Sequence, residues 1–288
     1  MKRLLEADLI RLGSRLALLV TVLSVPAAAE VQEALLPGGA APGATATIFA
    51  PGLVSGDGRE YGVAVDKDWS EIYFTRQSGE ESVIMVARRV GETWSPATPA
   101  VFSGQHNDSH PWLAPGGDQL SFVSLRPCPG AAQALNVWVV ARTDDGWTEP
   151  SHLGSPVTNQ TVHAPSVSAS GTIYATGLIR LRHVDGQYLP AERLAPDIKG
   201  SHPAIAPDED FLVFNGRREG GYNRDLFVVF RTPDGSWTPR VNLGQSVSSD
   251  RNESSPTLSS DGRLLFFSRD DDVWWVTATV VEAARPSE

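Results

Sequence analysis

Four segments of this chain align on a proline: "SHPWLAPGGDQLSFVS" at Pro111, "VHAPSVSASGTIYATG" at Pro165, "SHPAIAPDEDFLVFNG" at Pro203 and "ESSPTLSSDGRLLFFS" at Pro256. A fifth, "REYGVAVDKDWSEIYFTR" from Arg59, keeps the rhythm without the proline. The proline spacings are 54, 38 and 53 residues, so one unit is shortened. Repeats of this length are supersecondary units that bury their apolar faces only against one another, so the chain must stack them into an array or a ring.

Each copy reads as strand, tight turn, strand. Asp261-Gly262 is the clearest turn, because both residues tolerate the positive φ that hairpins need; Pro207-Asp208, Gly116-Gly117 and Ser170-Gly171 hold the corresponding places. A third strand follows in most copies: "VIMVARR" from Val83, "NVWVVAR" from Asn136, "DLFVVFR" from Asp225 and "DVWWVTA" from Asp272. Then comes an aromatic with a proline behind it, at Trp94 and Pro96, Trp147 and Pro150, Tyr188 and Pro190, and Trp237 and Pro239. Proline cannot donate to a ladder, so this fourth strand lies at the sheet edge.

Units of four antiparallel strands predict an all-β, five-bladed β-propeller over residues 45–281. The last unit has only three strands, whereas "IFAPGLVS" near the start carries the outer-strand pairing of Phe49 with Pro51. Residues 46–55 are therefore expected to supply the missing outer strand and close the ring, which removes an exposed sheet edge. Residues 30–44, rich in Pro, Gly and Ala, read as a flexible lead-in, and 282–288 as a C-terminal tail.

At this point the chain resembles a known family. "ESSPTLSSDGRLLFFS", "SHPAIAPDEDFLVF" and the outer "GWTEPSHLG" and "SWTPRVNLG" resemble the TolB-type, WD40-like propeller repeat, whose usual form is an acid, two residues, Pro, a small apolar stretch, Ser/Ala-Pro-Asp-Gly and Leu-x-Phe. The final copy matches best, with Glu253, Pro256, Ser260-Asp261-Gly262 and Phe266 in place; the copy at Pro165 departs most, with Val162 where the acid belongs. The resemblance covers residues 46–281 and implies an extracytoplasmic propeller acting as an interaction module.

Export agrees with the N-terminus. Lys2, Arg3, Arg11 and Arg15 precede the apolar run "LALLVTVLSV", and Ala27–Ala29 offer a cleavage site, so residues 1–29 read as a secretory signal. The run is too short to span a bilayer, and no stable membrane insertion is expected. Without those residues 20 basic and 32 acidic side chains remain, a net charge of −12 that argues against nucleic acid as a partner. The single cysteine, Cys128, excludes an internal disulfide and reads as an inert loop residue.

The candidate ligand face consists of residues at the entry to the inner strands, which a propeller gathers round its central channel: Glu60, Asp108, His110, His163, His202 and Glu253, with Trp112 as an aromatic that no other copy repeats. One reading has the acids and histidines bonded to backbone amides of the neighbouring blade. A second makes Glu60, Asp108 and Glu253 the carboxylates of a carbohydrate-active hydrolase or lyase, which needs two carboxyl groups flanking the sugar. In a third, His110, His163 and His202 hold a metal ion. No Gly-x-Ser-x-Gly elbow supports a serine hydrolase. His106, His152 and His183 read as solvent-exposed. The expectation is a monomeric, cofactor-free binding or scaffolding module of the periplasm or exterior, facing a protein or glycan of the cell envelope and catalysing nothing.

Overall fold

The computed structural model describes residues 35–287 apart from 39, 57, 132–134, 160, 161, 195 and 196. The expected secretory signal and residues 30–34 of the lead-in lie outside the described residues.

The short β-branched and aromatic runs form ladders almost entirely with their sequence neighbours. Blade 1 comprises Arg59–Val65, Glu71–Ser78 and Glu81–Val90, with Thr98–Pro99 outermost. Blade 2 comprises Asp108–Leu113, Gln119–Ser124, Asn136–Thr143 and Ser151–His152. Blade 3, the shortened copy, has Ser166–Val167, Ile173–Ala175, Ile179–Leu181 and Glu192–Arg193. Blade 4 has Ser201–Ile205, Phe211–Arg217, Arg224–Phe230 and Val241–Asn242. Blade 5 has Ser254–Leu258, Leu264–Arg269 and Asp272–Thr277, and its outer strand is Thr47–Ile48 from the other end of the chain.

The ring thus closes as the sequence predicts. Thr47 and Ile48 lie antiparallel to Trp275 and Trp274, and Phe49 is fully buried, 5.0 Å from Phe266 and 4.9 Å from Trp275 between ring centres. Aromatic edge-to-face packing of this kind adds about 1 kcal/mol per pair beyond area burial. The prolines divide the outer strands: in blade 1, Thr93–Trp94 pairs with Arg89 and Val90, and after Pro96 the strand resumes against Met85.

Two elements depart from the sequence reading. Blade 3 has a third strand, Ile179–Leu181, which its few residues do not announce. Near Val281 the chain turns into a four-residue helix, Thr279–Glu282, whose Val280 and Val281 pack into the cluster with Leu265 and Val276.

A bulge sets the shape of the inner strands. Register slips between Tyr61 and Ala64, Ser109 and Trp112, Ser201 and Ala204, and Ser254 and Thr257. The first bulge residue takes positive φ: Gly62 61°, His110 52°, His202 51° and Ser255 47°, with Ala164 at 49° holding the place in blade 3. Bulges of this type re-aim a side chain at a strand end. Here the bulge residues His110 and His202 come to pack on each other and on His163.

Candidate functional site

The strand entries bring together two groups of residues with different roles. The repeat acids Glu60, Asp108 and Glu253 are completely buried. Each holds an arginine from the second strand of its own blade or the turn after it. Glu60 Oε1 accepts from Arg76 Nε at 2.8 Å, Asp108 Oδ1 from Arg126 Nη2 at 2.9 Å, and Glu253 Oε1 from Arg269 Nε at 2.9 Å. Each arginine then reaches a carbonyl six residues before its acid, on the linker from the preceding blade: Val54, Phe102 and Val247 respectively. Linker side chains complete the device, with Ser103 Oγ donating to Asp108 and Ser249 Oγ to Glu253. The arginines also lie over Phe74, Phe122 and Phe267 of the same strands.

This corrects one detail of the sequence reading. The acids pair with arginine side chains within the blade rather than with backbone amides of the neighbouring blade; among the described residues a linker amide is bonded by Glu60 alone, from Gly56 N at 3.3 Å. Sequence reasoning missed Arg76, Arg126 and Arg269, although the repeat shows them at the end of "YFTR", "SLR" and "FFSR". Blade 4 has no room for the acid: a Cβ on Gly200 would lie 2.2 Å from the Phe214 ring. Its latch is built instead from Arg218 and Asp225, 2.6 Å apart.

The histidines form the second group. His110, His163 and His202 come from three successive blades, and their ring centres are 4.7, 5.0 and 5.3 Å apart. One nitrogen from each lies within 4.8 Å of the others. The backbones of His110 and His202 are tied to the preceding blades, His110 N donating to Thr75 Oγ1 at 2.9 Å and His202 N to Thr176 Oγ1 at 3.5 Å, while Thr176 Oγ1 donates to His163 O of its own blade at 2.8 Å. Their side chains are not spent on backbone amides. His110 Nδ1 meets Ser109 Oγ at 3.1 Å, and His202 Nδ1 meets Asn215 Oδ1 at 3.2 Å and Ser201 Oγ at 3.3 Å. His110 is nine-tenths buried, and its Nε2 is enclosed without a hydrogen-bond partner.

Burial disfavours imidazolium. It drives His110 well below the usual imidazole range, assisted by its two histidine neighbours and Arg59. Burial also lowers His163, and it lowers His202 to about 4 with a contribution from His163. Three neutral imidazoles therefore face one another at pH 7. The Tyr61 ring packs 4.9 Å from His110, and Arg59 covers Tyr61 at 5.5 Å.

Arg59 also lines an open cavity of about 480 Å³ between blades 4, 5 and 1. Its wall is polar and includes Arg59, Asn223, Arg251, Asn252, Asp270 and Asp271. Asp270 and Asp271, with φ of 51° and 70°, are the two central residues of a tight hairpin in which Arg269 pairs with Asp272. Trp112 is half-buried past the bulge of its strand, paired with Ser121, and is not among the rings packed on the histidines. His106, His152 and His183 are exposed, and Cys128 is a half-buried thiol against the core between blades 1 and 2.

Five antiparallel blades closed in a ring by the first strand define a five-bladed β-propeller, the architecture that the TolB-type repeat implies. No protein-family model matches the chain, and no curated protein matches it. Among solved structures it is similar to the catalytic domain of a GH62 α-L-arabinofuranosidase from Coprinopsis cinerea, with 10% identity over 81% of this chain and 97% of that one, at a TM-score of 0.53. An α-L-arabinofuranosidase from Lactobacillus brevis is similar at 12% identity, over 74% of this chain and 84% of that one, with a TM-score of 0.51. TolB from Acinetobacter baumannii, at 11% identity and a TM-score of 0.47, matches 76% of this chain, which spans 54% of that longer protein. At such identities the likeness is one of fold.

Proposed function

We infer that the chain is an extracytoplasmic propeller whose channel mouth is a non-catalytic binding face for a glycan of the cell envelope. The observation that carries this is the commitment of all three repeat acids to buried arginine latches. A glycosidase needs one carboxyl group that can reach the glycosidic oxygen and another across the sugar; Glu60, Asp108 and Glu253 are sealed from solvent. The cavity between blades 4, 5 and 1 alternates donors, in Arg59, Asn223 and Arg251, with acceptors in Asp270 and Asp271, a pattern suited to sugar hydroxyls. Among the described residues no helix is long and apolar enough to cross a membrane, and the charged, apolar, small-residue order of residues 1–29 supports export.

The test is a panel of envelope and plant glycans offered to wild type and to an Arg59→Ala, Arg251→Ala variant. Expected is retention without turnover by wild type, lost in the variant. Release of sugar by wild type, abolished in a folded Glu253→Gln protein, would favour the carbohydrate-active alternative, for which the unpartnered, buried Oε2 of Glu253 is the supporting observation. Protein capture unaffected by glycan competition would move the partner to a protein.

A further inference from the structure

We propose that His110, His163 and His202 form a binding site for one divalent transition-metal ion of the zinc class, with a fourth coordination position left to water or a ligand oxygen.

The fold does not ask for histidine at these places. The bulge requires positive φ, which glycine adopts without strain and other residues only at a penalty. Blade 1 answers with Gly62, whereas blades 2 and 4 place His110 and His202 there. Blade 3 uses the preceding position, so that His163 enters between the other two; the corresponding residues elsewhere are Tyr61, Ser109, Ser201 and Ser254. Three histidines from three blades thus meet at one point for a reason other than the repeat.

Their orientation suits ligation. Serine and amide oxygens lie beside Nδ1 of His110 and His202. An acceptor at Nδ1 fixes the proton there and leaves the Nε2 lone pair for a metal, the usual role of groups behind a ligating imidazole. His110 Nε2 is buried without a partner, an arrangement that is costly unless something occupies it.

The donor set chooses the ion. Three imidazole nitrogens, with the neighbouring carboxylates locked on arginines, suit zinc, copper, nickel or cobalt and not calcium or magnesium, which take oxygen ligands. Tetrahedral zinc with bonds of about 2.0–2.1 Å sets its nitrogens about 3.3 Å apart. The present spread, within 4.8 Å, closes to this by rotation of the rings and a shift of about 1.5 Å at most.

The experiment uses untagged protein, stripped with chelator and titrated with Co²⁺ and Zn²⁺. Expected is one equivalent per chain, with the visible absorption of four-coordinate cobalt and a rise in melting temperature. Both signals should vanish in His110→Gly and His202→Gly, which keep the bulge, and in His163→Ala, each checked for native circular dichroism. A His106→Ala, His152→Ala, His183→Ala protein should bind as wild type. Absence of stoichiometric metal from wild type, or undiminished binding by the folded His110→Gly, His202→Gly double variant, would overturn the site. Because glycan retention is read separately, loss of one result leaves the other interpretable.

Discussion

The buried carboxylates are ordinary in chemistry and decisive in place. Asp108 has no exposure and Arg126 is one-tenth exposed, so Asp108→Ala leaves a guanidinium buried without its counter-charge and should destabilise the protein by about 3–5 kcal/mol. Equilibrium urea unfolding checks this; a loss below about 1 kcal/mol, as for a surface pair, would remove the latch from the structural argument. The histidines predict a pH dependence in the metal-free protein. An unfolded imidazole titrates near 6.5, whereas folded His202 titrates at about 4. Between these values the unfolded chain holds more protons, so His202 carries no protonation penalty above pH about 6.5 and stability is lost as pH falls toward 4. The loss is on the order of 3 kcal/mol. Urea midpoints compared at pH 7.5 and 4.5 should fall less in His202→Gly than in wild type; equal falls would contradict the shift. Both groups were legible as repeat positions in the sequence. The partner arginines were not, because they lie 16 or 18 residues downstream on another strand, and only pairing brings them back beside the acids.

The bulged inner strand is the element that serves the ring and the site together. At Gly62 a Cβ would lie 3.1 Å from His110 Cα, at a φ of 61°. Gly62→Ala should therefore cost about 1–2 kcal/mol, whereas His202→Gly, at the same place in blade 4, relieves the same strain. Melting curves of the two variants, taken without metal, should shift in opposite directions or leave His202→Gly unmoved. A larger loss in His202→Gly would show that the histidine is needed for packing. Alternating strands and Asp-Gly turns made the blades readable from sequence. The bulge was not readable, because Gly, His, Ala and Ser share its position and only the backbone angle unites them. Blade 3 was hardest, since its strands of two and three residues are too short to carry a pattern.

At the scale of the molecule, closure depends on very few residues. Thr47–Ile48 supplies two ladder residues, but Phe49 behind them fills the space between Phe266 and Trp275, and Ser55 Oγ donates to Val273 O at 3.2 Å. Deleting residues 45–55 should expose the edge of blade 5 and lower the melting temperature sharply or cause aggregation; an unchanged melting curve would mean that the ring holds without its closing strand. A closed ring matters to the site because His110, His163 and His202 belong to separate blades and stay within reach only while the blades keep their places. The most direct measurement is an anomalous difference map at the zinc edge from crystals grown with one equivalent of Zn²⁺. Expected is a single strong peak bonded to His110, His163 and His202 at the channel mouth of a five-bladed ring. Peaks confined to surface histidines, with none between these three, would contradict it.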